Sequence, residues 1–179
     1  MLVSLRLPVD LSEATDYKLS YRFTLLDGKE GLGTFLVAQQ GHLGAIINSE
    51  GGKGSGFEIA EKKAFENETS KPPFKLEKGA TYVCEMHTRI AEGKVSATLH
   101  LSLSGEPPGA PYLTLSSQPI AALRWKPSMH LVERVVQGTG VPTLHAHFSR
   151  FTIEAVKVEV LQGKAKIMSW KQGPIVPMK

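Results

Sequence analysis

Several residue groups in this chain have the types and spacing to do chemistry. His145-Ala-His147 sets two imidazoles at i and i+2. On a strand that spacing sends both to one face, where they could reach one metal ion. The pattern that completes such a site, His-x-His-x(3,4)-Glu, fails, because the fourth and fifth residues after His147 are Phe151 and Thr152. Glu154 is out of register, and His130 or His42 could join only if the fold brought them close. The pair therefore reads as strand histidines against solvent or polar neighbours, with His145 and His147 as weak metal candidates. Glycosidase chemistry needs paired carboxylates, about 5 Å apart for retention. Glu154 and Glu159 are five residues apart and point to opposite faces of a regular strand, while Glu58 and Glu61 read as solvated loop carboxylates. No serine sits in a Gly-x-Ser-x-Gly elbow, since Gly54-Ser55-Gly56 has the wrong spacing.

The stretch Asn48–Phe65, NSEGGKGSGFEIAEKKAF, follows the apolar run Leu43–Ile47. Strand, glycine loop and a helix over Phe57–Phe65 would suit a phosphate. A P-loop, however, needs Ser or Thr after Gly-Lys, and Lys53 is followed by Gly54. The spacing Gly52-x-Gly54-x-Gly56 also misses the dinucleotide fingerprint. The glycines read instead as a mobile or tightly turned loop with unusual φ/ψ. For sugar recognition, an aromatic platform beside planar polar groups is the useful arrangement. Arg124-Trp125-Lys126, next to Pro127, supplies it best, and Tyr112 is a second candidate. Trp125 has core or edge packing as an alternative role.

The chain has 179 residues, with 21 Lys and Arg against 17 Asp and Glu, a net charge of +4. That length suits one ordinary domain with a sizeable core. The charge is scattered, with Lys62-Lys63 the one adjacent basic pair, which argues against nucleic acid. The single cysteine, Cys84, excludes an internal disulfide and reads as a small buried hydrophobe. No run approaches the ~18 apolar residues of a membrane span. The N-terminus lacks the pattern of a secretion signal. A cytoplasmic protein is expected if the chain is full-length, and an extracellular or cell-surface one if it is an excised domain.

The elements that must position these residues read as strands. In Tyr17–Leu25 the odd positions are Tyr, Leu, Tyr, Phe, Leu and the even ones Lys, Ser, Arg, Thr. This is the period of a half-buried strand. Residues 82–90 and 95–103 repeat the pattern, and Ala91-Glu-Gly-Lys94 joins them as a hairpin with Gly93 at positive φ. Residues 33–39 and 43–48 make a second hairpin, and 111–116, 128–136 and 144–159 look extended. In the last segment the apolar phase shifts from Phe151/Ile153 to Val156/Val158/Val160, which a β-bulge near Ala155 would explain. Leu161–Lys164 turns the chain into a terminal strand over 165–170. The pattern predicts an all-β antiparallel sandwich or jelly roll over residues 1–170 and an extended tail over 171–179.

The ordered segments DYKLSYRFTLLDG, GLGTFLVAQQGHLGAIINSEGGKGSGFE, LEKGATYVCEMHTRIAEGKVSATLHLSL and HFSRFTIEAVKVEV resemble a concanavalin A-like, laminin-G-like jelly-roll domain. The kind found in large planctomycete proteins is the nearest in flavour. The likeness spans roughly residues 15 to 160. It departs from the family after the second hairpin strand, where an Asp-Gly and a nearby tryptophan are missing and Trp125 comes late. The resemblance implies glycan or protein ligands. The legume-type arrangement of Asp and Asn beside calcium is not seen, so a sugar site without metal or cofactor is expected. The resulting expectation is a non-catalytic carbohydrate-binding module with Trp125, Arg124 and Tyr112 at its site. The alternatives are a structural or assembly protein, a homo-oligomer built through sheet edges and tail, and, further off, a cupin-like metal site or a glycoside hydrolase.

Overall fold

The computed structural model describes residues 2–28, 31–38, 41–59, 62–123 and 140–168. One antiparallel sheet runs in the order β1 (Leu2–Arg6), β10 (Thr143–His147), β4 (Leu32–Ala38), β5 (Gly41–Asn48), β6 (Gly54–Glu58). The other runs β11 (Ser149–Gly163), β3 (Ala14–Gly28), β7 (Thr81–Ala91), β8 (Lys94–Leu103), β9 (Leu113–Pro119). A small ribbon pairs β12 (Lys166–Ile167) with β2 (Val9–Asp10). The architecture is the antiparallel jelly-roll sandwich that the strand pattern predicts.

Side-chain alternation decides which face of each strand turns inward. Tyr17, Leu19, Tyr21, Phe23 and Leu25 of β3 are all buried, and so are Tyr82, Cys84 and Met86 of β7 and Val95 and Leu99 of β8. Burying a large side chain of this kind stabilises by about 1.5–3 kcal/mol. A polar contact crosses the core as well: Tyr21 of one sheet and Thr34 of the other share a hydrogen bond of 2.6 Å. The outward positions of β3, β7 and β11 carry charge. Asp16 meets His87 at 2.7 Å, Lys18 meets Glu85 at 3.8 Å and Arg22 meets Glu154 at 3.8 Å.

The expected hairpin between β7 and β8 forms, with Glu92 and Gly93 both at positive φ (51° and 69°). A two-residue turn with both central residues left-handed matches the strand twist. The β4–β5 pairing and the bulge also form: the β11–β3 register slips between Glu154 and Lys157, and Ala155 has φ 49°.

Other expectations are corrected. Residues 144–159 are not one strand; β10 ends at His147, Phe148 turns with φ 48°, and β11 begins in the opposite sheet. Phe57–Phe65 does not form a helix, because Gly54–Glu58 adds to β5 as an edge strand. The glycines there admit a close neighbour: a Cβ on Gly56 would lie 2.0 Å from the Ala64 carbonyl oxygen. The turn before it, Asn48 to Gly52, is tight, with φ 55°, 44°, 74° and 86° at Asn48, Glu50, Gly51 and Gly52. β1, β2 and β6 are strands beyond those the sequence pattern predicts. Residues 128–136 and the tail 171–179 lie outside the described residues.

Candidate functional site

The switch of sheets at Phe148 makes the most unusual local structure among the described residues. A non-glycine residue at positive φ is uncommon, and for a bulky side chain it is an outlier. Such a backbone costs on the order of 1–3 kcal/mol. A glycine would turn the chain there more cheaply. Instead the position holds a phenylalanine that is 63% exposed. Two unfavourable choices at one residue, strain and an exposed ring, point to a use for the ring.

The register of β11 on β3 builds the surroundings. Gly28 stands opposite Ser149, and Asp27 opposite Arg150. Gly28 has φ 101°, and a Cβ there would lie 2.3 Å from Ser149 Oγ and 2.6 Å from the Phe148 carbonyl oxygen, so the two chains can approach only at a glycine. Asp27, Gly28, Phe148, Ser149 and Arg150 line an open cleft of about 290 Å³. Arg150 Nη2 donates to Asp27 Oδ2 at 3.3 Å, and Lys78 Nζ lies 3.7 Å from Asp27 Oδ1. Lys78 is held by its own turn, in which Ala80 N–H donates to the Glu77 carbonyl and Gly79 N–H donates to that of Leu25. The Gly28 N–H, then Lys78 and Arg150, hold the Asp27 carboxyl below its usual range. The cleft thus offers an apolar ring, a carboxylate acceptor and the Arg150 guanidinium, with Lys78 behind the carboxylate.

Among the described residues singled out in the sequence, Tyr112 lies elsewhere. Tyr112 is half-buried between β8 and β9; its hydroxyl lies 2.7 Å from both Ser55 Oγ and the Pro72 carbonyl oxygen, and its single proton serves one of them at a time. Its ring meets Phe74 edge-on, with centroids 5.3 Å apart. Asn48 secures the same loop, accepting from Phe74 N–H at 2.7 Å and donating to the Phe74 carbonyl at 2.8 Å. This network explains Asn48 and Ser55 of the glycine-rich stretch as fasteners for the long loop after β6. Arg124 and Trp125 lie outside the described residues.

His145 is buried on the face of its sheet away from the main core. Its Nε2 is 3.0 Å from Thr143 Oγ1, and its ring meets Phe35 edge-on at 4.6 Å. Burial lowers its pKa to about 4. The backbone of His147 ends β10, and its side chain is outside the described set. No group of three His, Cys, Asp or Glu that could hold a metal occurs among the described residues. Glu154 and Glu159 do not point to opposite faces. The bulge at Ala155 returns both to the outer face, opposite Arg22 and Lys18. Four residues of β3 separate those partners, about 13 Å, wider than the ~6.5–9.5 Å of an inverting carboxylate pair. Glu58 sits half-buried at the end of β6 rather than in a solvated loop. Cys84 is fully buried, and its thiol is pushed up to about 12.

No family model and no curated protein matches the chain. Solved structures do. Lectin UEA-II in complex with galactose is 11% identical with a TM-score of 0.50, the match covering 80% of this chain and 71% of that one. Peanut lectin with a nine-residue peptide is 8% identical with a TM-score of 0.46, covering 82% and 70%. A human galectin-16 variant is 9% identical with a TM-score of 0.43, covering 89% and 94%. At 11% identity the likeness to the UEA-II structure shows the fold alone, a concanavalin A-like antiparallel sandwich.

Proposed function

We propose that this chain is a non-catalytic carbohydrate-binding module whose sugar site is the Phe148 cleft. The observation that carries the reading is the exposed phenylalanine at positive φ that shares a cleft with Asp27 and Arg150. A pyranose would lay its apolar C–H face on the ring, while the carboxylate accepts from its hydroxyls and the cations donate to them. A lectin-type fold agrees with this role but does not locate the site. Arg124 and Trp125 stand as proposed further contacts, and Tyr112 as a proposed contact apart from this cleft.

The test is a glycan array probed with the wild-type chain and with Phe148→Gly, Trp125→Ala and Tyr112→Ala. Glycine accepts the backbone of residue 148 without strain, so the fold is kept while the ring is removed. Binding lost in Phe148→Gly supports the cleft. Binding unchanged there and lost in Trp125→Ala moves the site to the 124–126 segment.

A second reading, assembly through sheet edges, has its own observation. Among the described residues β11 is an edge strand paired with β3, and Val156, Leu161 and Ile167 are exposed on β11 and β12. A blank array together with a discrete homo-oligomer in light scattering would favour it. The four register irregularities of β11 weigh against it, because bulged edges resist strand addition.

A further inference from the structure

The left-handed bend at Phe148 is one residue long and joins strands of opposite sheets. β10 ends at His147, and β11 begins at Ser149. Without the bend the two would run on as one strand, which is how the pattern of residues 144–159 reads. Among the described residues β11 is the edge of its sheet, so it can leave without parting two other strands. The segment from Ser149 to Met168 is held by contacts that a second copy of the chain offers equally. β11 lies on β3 from Ser149 opposite Gly28 to Gly163 opposite Ala14. Arg150 meets Asp27 at 3.3 Å, and Arg22 meets Glu154 at 3.8 Å. Phe151, Ile153, Val158 and Val160 pack against the core, and β12 pairs with β2. When β11 and β12 of two copies change places, all of these contacts are remade between chains. The hinge alone differs, left-handed in the closed chain and extended in the exchanged pair. A short hinge under strain is the feature that favours such an exchange.

We propose that Phe148 is the hinge of a strand exchange, through which β11 and β12 of one copy complete the sandwich of a second copy. The closed chain carries the strain of a bulky residue at φ 48°, and the exchanged pair releases it twice. The freedom lost when two chains become one particle opposes that release, so the monomer prevails in dilute solution. Passage between the forms must uncover the apolar side chains of β11, so it is slow in the native protein and open to the unfolded chain. In the exchanged pair two chains build the cleft, Asp27 and Gly28 from one and Ser149 and Arg150 from the other. The exchange does not depend on what the cleft binds.

The experiment unfolds the chain in guanidinium, refolds it at low and at high protein concentration, and reads the masses by size exclusion with light scattering. The wild type is expected as a monomer from dilute refolding, with a dimer that grows with concentration and persists after dilution. Strain at the low end of its usual range is worth about fivefold per hinge, and the dimer contains two hinges. Phe148→Gly should therefore weaken dimerisation about thirtyfold. Two glycines inserted between Phe148 and Ser149 should act in the same direction. Phe148→Val, whose branched side chain resists a left-handed backbone, should raise the dimer fraction; the two glycine variants carry the test if that variant does not fold. A second measurement asks whether the dimer is exchanged. Arg22→Cys combined with Glu154→Cys sets a cysteine pair across β3 and β11. Oxidation of the isolated dimer should link its two chains, seen on a denaturing gel without reductant, and oxidation of the monomer should leave single chains. A wild type that stays monomeric after concentrated refolding overturns the proposal. So does a dimer whose cysteine pair closes within each chain, which is association without exchange. A dimer that Phe148→Gly leaves as strong as the wild type also overturns it.

Discussion

Lowering the pH should destabilise this protein through one side chain in particular. His145 is 4% exposed, packed on Phe35 and next to Thr143, and burial lowers its pKa from 6.5 to about 4. The folded chain keeps the imidazole neutral where the unfolded chain protonates it. The stability this contributes is therefore complete above pH 6.5 and is lost as the pH falls towards 4. A shift of that size corresponds to about 3 kcal/mol, or roughly 10 °C in melting temperature for a chain of this length. Carboxylates held below their usual range by cations, such as Glu50 beside Lys63 and Glu159 beside Lys157, push the acid dependence the same way. The diagnostic quantity is thus a difference. Urea unfolding of the wild type and of His145→Gln at pH 7 and pH 4.5 should show the wild type losing about 2–3 kcal/mol more. Parallel losses in the two proteins would refute the argument that His145 is buried and neutral.

Two further predictions test the packing. Gly56→Ala places a Cβ 2.0 Å from the Ala64 carbonyl oxygen, a backbone atom with little room to yield. It should cost about 3 kcal/mol, read as a lower urea midpoint, and an unchanged midpoint would show that the loop is not fastened over β6. Cys84, fully buried with its thiol pushed up to about 12, should resist a thiol reagent in the folded protein and react stoichiometrically in guanidinium. Rapid labelling of the native chain would contradict its place between β3 and β8.

What the sequence makes legible follows from what a strand pattern can carry. Alternation in β3, β7 and β8 is a local property, and it places Tyr21, Cys84 and Leu99 inside without reference to any partner. The phase shift near Ala155 is also local, and it marks the bulge. Its consequence is not local: the same extra residue returns Glu159 to the face of Glu154, which counting along a regular strand misses. β6 is hidden for a related reason. Gly54-Ser-Gly56 has poor intrinsic strand propensity, and it becomes a strand because β5 lies on one side and Lys71 pairs with Ser55 on the other. The cleft is harder still. Asp27 and Arg150 are 123 positions apart, and only the β11–β3 register joins them. In the sequence, Phe148 sits in an apolar-rich run that looks like one strand, where an aromatic is expected to pack. Only the crossing between sheets, with its left-handed backbone, turns that ring outward. In the sequence alone, Trp125 and Tyr112 stand out instead, by their polar or proline-rich surroundings. At position 148 the signal is a conflict between local preference and fold, and it becomes visible only once the fold is known.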